Sequence, residues 1–349
     1  MADSARLLTI QSPGSGRRSS LVAAAASAPV VGGRKGVDYR EIPCQSALNR
    51  CTSDRMPFDW TINPYRGCEF GCRYCYARYT HEFMGLEDTH LFETQIFAKT
   101  GAPEALERDL RPGRRIRGGI AIGTATDPYQ PAERKFLVTR RLLEVFARRE
   151  GLNLSITTKS DLVTRDLDLL VEIAKKNRVA VNLSITTVNR RLARLLEPRA
   201  PRPLLRFEAV RALSRAGIAT GVLIMPIIPG ITDGAPALES LVAASARVGA
   251  SYLGHQVLFL RSTAKKEFYP FLARNFPRLA PRYRGVYGAS PYHTAAYRER
   301  ITSLIRGLRG RYGLQSRPDG DDSDADATVM GDAAMVGDAS RGRQMSLGF

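Results

Sequence analysis

Cysteine is scarce in this chain, with five among 349 residues, and the odd number argues against the disulfide framework of a secreted protein. Long apolar runs are missing too. No stretch of about 18 apolar residues occurs, so no membrane-spanning helix is expected. Acidic residues are in short supply, 34 against 52 lysines and arginines, which leaves a net charge of +18. Seven aspartates between Asp319 and Asp338 lie in the tail against three arginines, so residues 1–315 carry +22. Such a field favours anionic partners: nucleic acid, phosphorylated substrates, or an acidic electron carrier such as flavodoxin or ferredoxin. General arginine usage gives the same total, so charge alone selects no substrate.

What is present suits one large α/β barrel or two ordinary domains. Met1–Gly36 is rich in Ser, Ala, Gly and Arg without apolar periodicity and reads as a disordered leader. Inside it, Leu21–Ala28 follows Arg17 and Arg18 and faintly resembles a secretion signal, but it is short and alanine-rich. Val37–Phe58 reads as an irregular lead-in, and Trp60–Tyr65 as a short strand. Ala77–Gly85 and Ala102–Arg111 read as helical, the latter with Pro103 in its first turn. Ile116–Thr124 reads as a strand, and Pro131–Glu150 as one amphipathic helix carrying Phe136, Leu137, Leu142, Leu143, Val145 and Phe146.

A repeat then reveals the architecture. Asn153-Leu-Ser-Ile-Thr-Thr158 recurs as Asn182-Leu-Ser-Ile-Thr-Thr187, with a helix over Leu167–Lys176 between the copies. A strand–helix unit repeating at this length is the pattern of a parallel βαβ array. Helices over Arg190–Leu196, Leu204–Ala216 and Ala235–Gly249, with strands over Gly217–Ile228 and Ser251–Leu260, complete about six parallel strands. The expected fold is α/β, a partial (β/α)6 barrel over residues 37–262. A helical extension over 263–315 and a disordered acidic tail over 316–349 follow.

The chemistry concentrates in Asn63–Tyr79, N-P-Y-R-G-C-E-F-G-C-R-Y-C-Y-A-R-Y. Cys68, Cys72 and Cys75 are spaced C-x3-C-x2-C, and thiolates this close can reach one soft metal centre. A closed zinc site takes four protein ligands, and a common [4Fe–4S] site four cysteines. Three cysteines on a cubane leave one iron open to a small molecule. Gly67 and Gly71 allow tight wrapping. A Cys3His zinc site with His81 is the alternative reading, as in a zinc-stabilised nucleic-acid-binding protein without catalysis. Cys44 and Cys51 read as ordinary thiols.

The loop resembles that of the radical S-adenosylmethionine (SAM) enzymes, and Tyr74-Cys75-Tyr76 resembles the branch containing spore photoproduct lyase and its photolyase-like relatives. The resemblance implies the open-barrel fold and a [4Fe–4S] cluster on the three cysteines. It also implies reductive cleavage of SAM to a 5′-deoxyadenosyl radical that abstracts hydrogen. In parallel α/β folds the functional groups lie at the carboxyl ends of strands. By similarity, Tyr74, Thr124, Thr126, Lys159, Ser184 and Met225 are the cofactor contacts; Arg199, from its fork of donors alone, is a candidate partner for the SAM carboxylate. Spore photoproduct lyase has a hydrogen-donor cysteine where this chain has Thr124, so hydrogen abstraction from another substrate fits better, although Tyr74 and Tyr76 persist. Nucleic-acid lesion repair or modification is the alternative within the enzyme class. The expectation is a cytoplasmic, monomeric enzyme with no membrane association and with Cys68, Cys72, Cys75, Tyr74 and Tyr76 as its reactive set.

Overall fold

The computed structural model describes residues 15–52, 56–111, 113 and 116–317. Its strands are β1 (Val30–Arg34), β2 (Val37–Glu41), β3 (Asn49–Arg50), β4 (Trp60–Ile62), β5 (Tyr65–Arg66), β6 (Gln95–Ala98), β7 (Gly119–Ile122), β8 (Asn153–Thr158), β9 (Arg178–Ser184), β10 (Ala219–Ile227) and β11 (Tyr252–Val257). The larger sheet runs β11-β10-β9-β8-β7-β4-β3. From β4 to β11 every neighbouring pair is parallel, and only β3 joins antiparallel at the edge. Six parallel strands in sequential order are the expected partial-barrel arrangement.

Sequence explains these elements. Val222, Leu223, Ile224 and Ile227 on β10 are all buried, a near-continuous apolar run that suits a parallel strand covered on both faces. The crossover helices bury residues three and four apart, as with Leu238, Leu241, Val242 and Ser245 of Ala235–Arg247. Polar groups therefore collect at the strand ends, where the site lies.

Three expectations require correction. The leader is not disordered throughout: Ser15–Ser27 is helical and β1 pairs antiparallel with β2. Ala25 and Ala28 pack on Ile42, Met84 and Phe97, a contact that small alanines make without leaving a periodic signature. Residues 1–14 lie outside the described residues, as do 318–349 of the expected acidic tail. Second, the lead-in helps build a separate sheet, β1-β2-β6-β5, which the sequence reading did not contain. Third, the helix over 131–150 is two helices, Glu133–Phe136 and Val138–Ala147, divided at Leu137 with φ +54°. The Glu133 carboxylate accepts from the Thr139 and Arg140 amides at 2.9 and 3.1 Å, so it satisfies donors that a new helix start leaves open.

The C-terminal extension packs back on the rest of the fold, and two of its contacts bear on the site and the barrel. Helix Ser262–Asn275 sends Phe268, Phe271 and Leu272 into one apolar cluster with Phe70, Cys72 and Tyr74. Helix Ala295–Tyr312 fastens to the barrel, with Arg309 donating to the Leu253 carbonyl.

Candidate active site

The cysteine loop leaves β5 near the carboxyl end of β4 and is tied down on every side. Gly67 has φ +82°, and a Cβ there would lie 2.8 Å from the Phe92 carbonyl oxygen, so no larger residue fits. Its carbonyl accepts from the Thr126 hydroxyl at 2.5 Å and the Gln130 amide at 3.1 Å. Glu69, buried between Cys68 and Cys72, accepts from the Ala132 amide at 2.7 Å and the Tyr39 hydroxyl at 3.1 Å. The Cys68 amide donates to Phe92, the Arg73 amide to Leu196 and the Arg199 amide to Phe70. Buried Glu93 draws in Arg199 at 2.9 Å and Arg78 at 3.4 Å beside Gly71.

Cys72 is buried, and Cys68 and Cys75 are half-buried. Burial pushes the Cys72 thiol up to about 12, against the pull of nearby Lys159. Burial also drives Cys68 well up, helped by Asp127 and by the other two cysteines, so the three thiols feel one another. As bare thiols they are neutral; a soft metal would take them as thiolates. This set of three soft donors and no fourth suits an iron–sulfur cluster with an open iron.

It does not suit the Cys3His zinc site. His81 sits between Phe92 and Phe97, its Nε2 3.1 Å from the Gln95 carbonyl oxygen, and burial lowers its pKa to about 4. Among the described residues, no three Cys, His, Asp or Glu side chains are grouped around one ion position, the loop cysteines included, so the orientation of His81 is what separates the two donor sets. Cys44 also lies apart, its thiol donating to Ser46.

The other expected residues divide into two groups. Tyr74 is buried, with its hydroxyl 3.1 Å from Thr186 Oγ1 and donating to Glu197. Lys159 Nζ lies 5.9 Å from the Tyr74 ring centroid. Burial alone would lower the Lys159 pKa, but the negative charge of Cys72 in its thiolate form and of Glu197 outweighs it and holds it raised. The Lys159 amide donates to Asp127 at 2.7 Å, and the Thr158 hydroxyl to the same carboxylate at 2.6 Å, which fixes the end of β8. Ser184 ends β9, buried, with its carbonyl receiving Arg206. Met225 lies on β10 beside Gly254.

The second group is engaged in holding the loop. Thr126 binds the Gly67 carbonyl, and Arg199 binds Glu93. Tyr76 donates to the Thr124 carbonyl, while Asn63 Nδ2 donates to Thr124 Oγ1 at 3.0 Å.

Sequence reasoning missed the ion pair beneath Tyr74. Glu197 and Arg206 are both 1 % exposed and 2.5 Å apart, and Arg206 also donates to the carbonyls of Ser184 and Pro201. Glu197 occurs in Glu197-Pro198-Arg199, which reads as a polar break between two helices. Only its burial identifies it. Glu69 did carry a signal, a carboxylate inside a three-cysteine loop.

Residues 62–239 match the family described as the Radical SAM superfamily. An uncharacterised protein of Mycobacterium tuberculosis is 36% identical over 80% of this chain and 82% of its own length. Another from Methanocaldococcus jannaschii is 32% identical over 62% of this chain and 76% of its own. Among solved structures, spore photoproduct lyase complexed with dinucleoside spore photoproduct aligns with TM-score 0.57 and 15% identity, over 87% of this chain and 85% of that one. A variant of it with bound AdoMet and the same dinucleoside aligns at TM-score 0.52 and 15% identity, over 78% and 77%. The matched segment runs from the end of β4 through β10 and takes in the whole cysteine loop. The chain belongs to the radical SAM superfamily, and it is an enzyme.

Proposed function

We propose that Cys68, Cys72 and Cys75 hold a [4Fe–4S] cluster with SAM at its open iron, and that the enzyme abstracts hydrogen from a nucleic-acid substrate. The observation that carries this reading is the loop itself: three cysteines within eight residues, on a loop held at strand ends by Thr126, Gln130 and Glu93, beside the Lys159 cation. When bound and reduced, the cluster and SAM supply a carbon radical; the protein supplies position and dryness. Lys159, fixed through its amide by Asp127, offers charge to an anionic end of the cofactor. Ser184 and Met225 present one small polar and one apolar group from neighbouring strands. Phe70, Leu258, Leu260 and Phe268 keep water from Cys72.

Thr126 and Arg199 act as braces of the loop, and their loss weakens the site through its shape. With Thr124 where spore photoproduct lyase has a cysteine, no thiol there can return a hydrogen atom, so the outcome differs from lesion reversal by that route. The substrate class is favoured by the positive charge and by the likeness to a lyase bound to a dinucleoside.

The test is anaerobic reconstitution, then dithionite and chromatography for 5′-deoxyadenosine. About four irons with matching sulfide per chain are expected, and the product should vanish in Cys72→Ala. One zinc without sulfide would sink the reading. Steep salt dependence of DNA binding is expected for the substrate class; absence of binding at low salt removes it.

A further inference from the structure

The stretch 188–204, just behind the cysteine loop, presents an unusual surface. Arg190, Arg191, Arg194 and Arg202 are exposed, and among the described residues none has a carboxylate within ion-pair reach. The stretch has one acid, Glu197, which is buried under Tyr74. Three of the six large apolar side chains exposed among the described residues lie here: Val188 at 38 %, Leu195 at 37 % and Leu204 at 66 %. An apolar patch rimmed by unpaired charge of one sign is the composition of a protein-docking surface.

Its backbone leads directly to the site. Leu195 is exposed, Leu196 is fully buried in the apolar cluster of Phe70, Cys72 and Tyr74, and the Leu196 carbonyl accepts from the Arg73 amide at 2.9 Å. Arg73 is the neighbour of Cys72. Three residues on, the Arg199 amide donates to Phe70. Leu196 thus joins the exposed stretch to the apolar cluster that contains Cys72, and electron transfer weakens steeply with distance.

Resting on the cluster reading above, we propose that helix Arg190–Leu196 and the turn to Leu204 dock a small acidic one-electron carrier. Leu195 and Leu204 form the contact, and the four arginines steer it. In the encounter one electron leaves the carrier's reduced flavin or iron–sulfur group and enters the site held by the three cysteines; no bond forms at the surface. Single-stranded nucleic acid is the less suited occupant, because 188–204 contains no aromatic ring on which bases stack. Redox encounters use small, charge-steered interfaces, the kind that a few exposed leucines among unpaired arginines provide.

The experiment uses two reductants on the reconstituted protein, dithionite and photoreduced flavodoxin, comparing the native chain with an Arg190→Glu/Arg194→Glu/Arg202→Glu variant and with Leu195→Ser/Leu204→Ser. Binding of labelled flavodoxin is followed by anisotropy, and reduction by loss of visible absorbance. Expected are roughly tenfold weaker flavodoxin binding and slower flavodoxin-driven reduction in the charge variant, falling with salt in the native chain, with dithionite reduction unchanged. Flavodoxin reducing the charge variant as fast as the native chain overturns the proposal. So does a variant that loses a single-stranded oligonucleotide while keeping flavodoxin. If dithionite finds no cluster in the native chain, the functional reading fails, and flavodoxin binding to the unreconstituted chain still decides the docking surface.

Discussion

The two copies of Asn-Leu-Ser-Ile-Thr-Thr share every side chain and almost none of their environment. The first fills β8 and alternates half-buried with buried. The second lies half in β9 and half beyond it, and all six of its residues are buried. Pairing explains the difference: Asn153 lies opposite Arg178, and Asn182 opposite Thr157, so the copies are four residues out of step. Arg178-Val-Ala-Val181 extends β9 before the repeat begins and lifts the second copy toward the site. Thr158 therefore stops at Asp127, whereas Thr186 reaches Tyr74 and Glu197. A six-residue sequence sets strand preference, and the neighbours with which it pairs set its height.

The largest break in this comparison comes from the carboxylate that the second copy meets. Glu197→Ala leaves Arg206 as an uncompensated buried charge and removes an acceptor from Tyr74 and Thr186. A loss of about 3–5 kcal/mol is expected for such a broken pair, read as a lower denaturant midpoint. A loss below about 1 kcal/mol, the range of exposed pairs, would mean that water reaches Arg206 and that the network is surface chemistry.

Next in size is the asparagine pair. Asn182 donates to Ser155 Oγ at 3.0 Å and to the Ile156 carbonyl at 3.2 Å, and accepts from the Tyr252 hydroxyl at 2.8 Å. Asn182→Ala should cost about 1–3 kcal/mol because it leaves buried partners unsatisfied. Asn153→Ala, on the half-exposed end of β8, should stay within about 0.5 kcal/mol. Equal losses would mean that the register shift has no energetic consequence.

These residues also indicate what a sequence can disclose. The barrel strands and the three-cysteine loop were readable because they are local: apolar runs bounded by helices, and thiols at metal-ligand spacing. The repeat identified a βαβ unit, but its 29-residue spacing is not the 25-residue register of the strands. The second sheet stayed hidden because β5 and β6 are short and pair only through distant chain. Glu197 and Arg206 stayed hidden because a polar turn and a buried ion pair look alike until packing encloses them. Thr126 and Arg199 were singled out as cofactor contacts, yet in the fold their polar groups face Gly67 and Glu93.

The finest test sets the two terminal carboxylates against each other. Burial raises the Asp127 carboxyl above its usual range, despite the Thr158 and Lys159 donors. Burial pushes Glu197 up as well, but Arg206 and Lys159 outweigh it and hold it below its usual range. The signs follow by linkage. Glu197 contributes stability above its unfolded pKa and loses it as pH falls through the lower folded value. Asp127 costs stability while ionised in the fold, and that cost disappears as pH falls through its raised value. Urea midpoints of the iron-free chain, taken from pH 7 downward, should therefore fall less steeply in Glu197→Gln than in the native chain and more steeply in Asp127→Asn. Parallel slopes in all three would mean that the two copies end in equivalent electrostatic surroundings, contrary to their different depths.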